Sequence, residues 1–180
     1  MKKLLLMLLC LTLVTLPSLA EEGDKRGEKR AKLDAMASDA LGELFAEQPG
    51  AKKLADQAYG YAVFSNIKIS LGVTGGGGNG VAVGGGGRTY MRMGTGGLNL
   101  GLGGQKYQLI FFFENEQVFR SFVDDGWQAD ASANAAAGKA GANAGASFRN
   151  GMAVYQITDK GLMLQADISG TKYWKNKKLN

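Results

Sequence analysis

Between Tyr61 and Gly104 the chain alternates apolar residues with small or polar ones at period 2, and glycine takes an unusual share of the positions. Val63, Ile67, Ile69, Leu71 and Val73 hold odd positions, while Lys68, Ser70, Gly72 and Thr74 hold even ones. That is the pattern of a half-buried β-strand. Gly75 to Gly78 and Gly84 to Gly87 read as interruptions, with Val81 and Val83 between them and Leu98, Leu100 and Leu102 beyond. Such a sheet has one apolar face and one nearly bare backbone face. Glycine on a strand costs backbone entropy and packs nothing, so its repetition points to bends, bulges or close approach of another backbone or a ligand.

Helical periodicity flanks this region. Leu33, Met36, Ala37, Ala40, Leu41, Leu44 and Phe45 give the i, i+3, i+4, i+7 spacing of an amphipathic helix over Glu28 to Ala46. Pro49-Gly50 breaks it and permits a second short helix through Lys53, Leu54 and Ala58, closed by Gly60. Tyr107 to Phe113 is apolar on both faces, as a central strand would be. Glu114-Asn115 opens a helix with Val118, Phe119, Phe122 and Val123 as its buried stripe and Gly126 as its stop. Alanines at alternate positions from Ala129 to Ala135 and from Ala140 to Ala146 predict a tightly packed β-hairpin with its turn near Gly138-Lys139. Asn150-Gly151 is the strongest hairpin signal and leads into Met152 to Thr158; Asp159-Lys160-Gly161 turns that strand into Leu162 to Ser169. The fold class is therefore α+β: a strongly curved antiparallel sheet or barrel-like β meander of seven or eight strands, covered by two N-terminal helices and one central helix.

Lys2 and Lys3, an apolar run from Leu4 to Leu16 and small residues at Ser18 and Ala20 predict a secretory signal peptide over residues 1–20. Residues 21–27 read as a flexible segment of mixed charge and 28–180 as a single domain. Leu9 precedes Cys10, where a lipoprotein signal carries a small side chain. If Cys10 leaves with the signal, the remaining chain has no cysteine, and the exported, periplasmic expectation rests on the signal peptide alone. The net charge of +5 is modest. Its distribution is not: Lys25, Arg26, Lys29, Arg30 and Lys32 cluster near one end, and Lys172, Lys175, Lys177 and Lys178 near the other.

The chain contains no histidine. Without histidine or a retained cysteine, a Ser-His-Asp or Cys-His triad and an ordinary zinc site are excluded. Gly75, Gly77 and Gly80 satisfy G-x-G-x-x-G, but Val81-Ala82-Val83 continues a strand where a dinucleotide site needs a helix N-terminus. Gly138-Lys139 lacks the rest of a P-loop. Asp124, Asp125, Asp130, Asp159 and Asp167 remain as carboxylates, placed as on an ordinary surface. The expectation is a non-enzymatic protein with no metal, cofactor, nucleotide or nucleic acid.

Ala58-Tyr59-Gly60-Tyr61-Ala62-Val63-Phe64 is similar to the A-x-G-x-x-V-F segment of the SYLF (Ysc84-like) family. Gly101-Leu102-Gly103-Gly104-Gln105, Tyr155, Lys160-Gly161-Leu162 and Ser169-Gly170 follow in that family's order. The chain thus resembles a bacterial exported member. The resemblance implies a lipid-binding domain, phosphoinositide-directed in eukaryotic members, in which a basic amphipathic N-terminal segment assists membrane contact; an actin-binding role described in the family does not suit an exported protein. Two functions stand side by side: a lipid- or membrane-surface-binding module of the bacterial envelope, and a structural or protein-interaction scaffold of the periplasm. For the first, the candidate contacts with an anionic surface are Lys25, Arg26, Lys29, Arg30 and Lys32, with Tyr173, Trp174, Lys175 and Lys178 as an aromatic-basic second contact.

Overall fold

A computed structural model describes residues 17–129, 147–159, 161–163 and 170–180. Two helices, α1 (Pro17–Glu47) and α2 (Pro49–Gln57), precede two very long strands, β1 (Gly60–Gly84) and β2 (Gly87–Phe113). A short helix α3 (Glu116–Arg120) runs into a π-helical turn (Ser121–Asp125), followed by β3 (Trp127–Gln128), β4 (Met152–Thr158), β5 (Gly161–Met163) and β6 (Thr171–Lys175). Every pairing among the described strands is antiparallel. The class is α+β, as the sequence predicts. Residues 21–27, expected to be flexible, lie within α1.

The architecture follows from one long hairpin folded double. Gly85 and Gly86, both at positive φ, form its two-residue turn, a geometry that matches the twist of the flanking strands. The pairing of β1 with β2 then runs the whole length of the hairpin, broken only by a register shift between Leu71 and Val73. There the strand bends sharply. The hydroxyls of Ser70 and Thr74 lie 3.0 Å apart, although four residues of extended strand span about 13 Å. The bend divides the sheet into two halves. β4 lies beside Tyr107–Phe113 of β2 and carries β5 at its outer edge, while β6 lies beside Met91–Thr95 and carries β3. Among the described strands the outer edges do not meet, so the sheet is curved and open.

Glycine makes the double fold possible. The two halves of β1 run back along each other, and a Cβ added at Gly60 would lie 2.6 Å from the carbonyl oxygen of Val83, and one at Gly76 2.7 Å from that of Ile67. At Gly78 and Gly80 it would overlap the carbonyl oxygens of Ser65 and Val63. The run Gly75–Gly78 therefore does not interrupt the strand, contrary to the sequence expectation; it is strand whose bare face receives another backbone.

This closure also reverses the expected faces. A half-buried strand with apolar odd positions should turn them inward, yet the even positions line the interior: Phe64, Asn66, Ser70 and Thr74 are buried. The odd positions face outward, where α1 and α2 cover only some of them. Val63 and Val81 lie beneath Ala37, Ala40, Leu44, Ala51 and Leu54, while Ile67 and Ile69, beyond the helices, are 51 % and 53 % exposed.

Between the halves sits an aromatic core of Phe64, Phe111, Phe113, Phe119, Phe122 and Tyr173. Asn115 caps α3, its side chain accepting from the Val118 amide at 3.0 Å, and Gly126 at φ 77° ends the π-helical turn. The turn thereby delivers Phe122 against Phe64, Phe111, Phe113 and Tyr173, with ring centroids 4.9–6.2 Å apart. Asn150 and Gly151 form the left-handed turn before β4 that the sequence predicts. The alanine hairpin falls mostly outside the described residues.

Replacing Gly78 by valine should cost several kcal/mol or abolish folding, because backbone on both sides of the seam would have to move. Gly75→Ala, whose Cβ meets nothing within 4 Å, should change stability by less than about 1 kcal/mol. Urea midpoints of the two variants check the contrast.

Candidate functional site

The two basic runs at opposite ends of the chain meet at one end of the molecule. Arg30 on α1 donates from Nε to the Leu179 carbonyl oxygen at 2.7 Å, across 149 positions of sequence, and its guanidinium lies over the Tyr90 ring, 5.5 Å from the centroid. The tail around Leu179 is held by β2. The Asn180 side chain accepts from the Tyr90 amide at 2.9 Å and donates to the Tyr90 carbonyl at 2.8 Å, and the Asn176 amide donates to that same carbonyl at 2.9 Å. On the outer face the Tyr90 hydroxyl donates to one oxygen of Asp34 at 3.2 Å, and Arg88 approaches the other at 3.6 Å. The helix, the strand and the tail are locked through Tyr90. Burial, then Asp34 beside it, raises the Tyr90 pKa above the ordinary value.

Around this lock the remaining cations are exposed. Lys25, Arg26, Lys29 and Lys32 lie on the first half of α1, where every residue from Glu22 to Lys32 except Arg30 is exposed. Lys177 and Lys178 are exposed on the tail that Arg30 holds. Lys32 is paired with Glu28 at 2.6 Å, and the same pair lowers the Glu28 pKa. By contrast Leu44, Ala37 and Ala40 are buried on the sheet and Leu33, Met36, Leu41 and Phe45 pack against it. The apolar stripe of α1 is therefore core, and the exposed half of the helix is polar all round.

The second predicted contact divides. Tyr173 points inward and is 0 % exposed, so it is removed from any surface: its odd position on β6 belongs to the interior face, next to Phe64 and Phe111. Trp174 is on the outer face, 36 % exposed, beneath the Arg92 guanidinium at 5.8 Å and over Gly94. Lys175 is tied to Asp124 at 2.7 Å, a hydrogen bond that holds the Asp124 carboxyl below the ordinary range.

A buried polar group that sequence reasoning missed lies inside, towards the bend. Asn66 Nδ2 donates to the Tyr107 hydroxyl at 2.5 Å, and the hydroxyls of Thr95 and Thr171 are 2.9 Å apart. Tyr173 adjoins this group; burial and the neighbouring Tyr107 hold its phenol well above the ordinary pKa, with Thr171 opposing. The only sequence signal was the polar even face of β1, which reads as solvent-facing until the double fold is known.

The fold and this basic end define a class: a small α+β module closed by glycine, with cations presented on a helix and a docked tail. Residues 94–180 match the family model described as Ysc84: Las17-binding protein actin regulator. Beta cell expansion factor A of Aeromonas veronii is similar to this chain, 48% identical over 154 residues that cover 84% of the chain and 59% of that protein. The chain thus spans somewhat over half the length of that curated relative. It belongs to the SYLF (Ysc84-like) family. The matched segment of the family model includes the tail and β6, while the basic half of α1 precedes it.

Tyr90, Tyr155 and Tyr173 all have raised pKa values in the folded state, chiefly through burial. Below about pH 10, where an unfolded tyrosine is protonated, these groups leave stability at its full value. Above it the unfolded state loses its phenolic protons first, and stability falls as pH rises through the folded values. Melting temperatures should be level to about pH 9 and then drop, with the phenolate absorbance of the buried tyrosines appearing only on unfolding. Arg30→Gln should cost about 1 kcal/mol by freeing the tail, whereas Lys29→Gln should stay within about half a kcal/mol; denaturant titration distinguishes them.

Proposed function

We propose that this protein is a non-enzymatic module of the bacterial envelope that binds anionic membrane surfaces, exported through its N-terminal signal. The observation that carries the reading is the junction at Arg30, which brings the exposed cations of α1 and of the tail to one end of the domain. A helix that is polar all round and unsupported by packing is marginal in water. The first half of α1 carries five basic and four acidic side chains, but Glu21, Glu22 and Asp24 precede the basic run, and from Lys25 to Lys32 five cations face Glu28 alone, so a negatively charged surface is the partner that stretch suits. Its contact is peripheral: the apolar stripe is engaged on the sheet, and no helix among the described residues is long and apolar enough to cross a membrane. Family membership supports the lipid-binding reading, and the signal sequence supports the periplasm.

Each basic residue near an anionic surface contributes about 1 kcal/mol. Exchanging Lys25, Arg26, Lys29 and Lys32 together for glutamine should therefore reduce sedimentation with phosphatidylglycerol vesicles by at least tenfold, with an unchanged circular dichroism spectrum. Arg30 stays, because it holds the tail. Equal binding by the variant would assign these cations to solvation alone, and a stable protein partner recovered in place of vesicle binding would favour the scaffold reading. Raising salt from 0.1 to 0.5 M should weaken binding, as the screening length shrinks from about 10 Å to about 4 Å.

A further inference from the structure

The outward face of β1 near the bend is apolar and lies beyond the helices. Val63, under α1 and α2, is fully buried, whereas Ile67 and Ile69, two and three pleats further along the same face, are more than half exposed. Single exposed apolar side chains are ordinary on a protein surface. Two adjacent ones on a single face, at the end of a doubled hairpin, are a different case, because the fold has turned the apolar face of this strand outward to let its glycine face close. Their surroundings do not cover them. Ile69 pairs with Gly104, which offers no side chain, and Ile67 pairs with Lys106, which is exposed. Lys68 lies between them in sequence but at an even position, on the opposite face of the strand, so the cation beside the pair is Lys106, whose groove is also lined by Glu43, Glu47 and Asp159.

We infer that Ile67 and Ile69 form a membrane-inserting contact, in which the bent end of the hairpin places both side chains into the interfacial region of an anionic bilayer while Lys106 stays at the headgroups. The inference rests on the membrane-surface reading and adds to it a second, apolar point of attachment distinct from the basic end. Among the described residues the exposed apolar face of β1 amounts to two half-exposed side chains, against the roughly 20 to 30 residues a side that a stable protein interface uses, which favours a lipid surface over a second copy or a folded partner as the occupant. A lipid surface needs no such area, since each buried aliphatic side chain contributes by itself. The rigidity of the doubled hairpin helps, because no segment has to order on binding.

The test separates the two attachments by salt. Wild-type protein and the double variant Ile67→Ser/Ile69→Ser are sedimented with phosphatidylglycerol-containing vesicles at 0.1 and 0.5 M salt. Cation-driven binding is screened at the higher salt and apolar insertion is not, so the variant should bind at least tenfold more weakly at 0.5 M and differ less at 0.1 M. In parallel, an environment-sensitive fluorophore on Ile69→Cys, in a chain with Cys10→Ser, should shift to the blue with vesicles and be quenched by spin-labelled lipid. A labelled position that shows neither change while the wild type binds overturns the inference and leaves the basic-end reading intact, as does a double variant that binds like wild type at both salts. Wild-type protein that does not bind vesicles at all overturns both. A wild-type dimer in sedimentation velocity that the double variant loses would make a second copy the occupant and overturn insertion.

Discussion

The close approach of one half of β1 to the other is the constraint on which the structure depends. Two strand backbones lie against each other along Gly60, Gly76, Gly78 and Gly80 with no room for a Cβ between them. Four glycines on one strand lose more conformational freedom on folding than any other residues would, at roughly 0.5 to 1 kcal/mol each relative to alanine. The compensation is that a 25-residue strand and its 27-residue partner, far longer than ordinary strands, double into a short curved layer. The two halves of one hairpin thereby supply the walls of the core without a crossover connection.

The position of the core follows from that closure. Because the even face of β1 is the face that closes, its partners on β2 are the odd residues Met91, Met93, Tyr107, Leu109, Phe111 and Phe113, and these meet the π-helical turn carrying Phe122. The other face of the same strands must then be covered from outside. α1 and α2 supply that cover over Val63, Val81, Ile110 and Phe112, and it stops before Ile67. The polar group of Asn66, Thr95, Tyr107 and Thr171 marks the end of the interior nearest the bend, where the aromatic filling gives way to hydroxyls and an amide.

Elements set by local rules were legible in the sequence. The caps at Asn115 and Gly126, the break at Pro49, the Asn150-Gly151 turn and the central character of Tyr107 to Phe113 all depend on residues within a few positions of each other, and each is where the pattern puts it. The faces of β1 depend on a partner elsewhere in the same strand. Period-2 alternation says that two faces differ and not which one is inside; apolar side chains are the usual choice, and here backbone closure decides against them. The candidate site was legible to the same degree. Charge clusters are visible at any distance, so the basic runs were found, but their meeting at Arg30 and Leu179 and the burial of Tyr173 are tertiary facts. Tyr173 and Trp174 are adjacent in sequence and opposite in fate because a strand sends neighbours to opposite faces.

The residues that build this scaffold and the residues offered to a surface are thus largely separate sets. Glycines at the seam, aromatics in the core and alanines on the buried sides of α1 and α2 each answer a packing demand, and substitution there disturbs the fold before it disturbs any contact. Lys25, Arg26, Lys29, Ile67 and Ile69 answer no such demand: they are exposed, and the helix and strand that carry them are anchored elsewhere, at Leu44 and at Val63. Arg30 is the exception that joins the two sets, since one guanidinium both docks the tail and determines where the neighbouring cations stand. A family recognised through its glycine and apolar positions is therefore recognised by its scaffold. Its surface chemistry can vary from member to member without altering that recognition, so the contact residues of this chain have to be argued from their own placement.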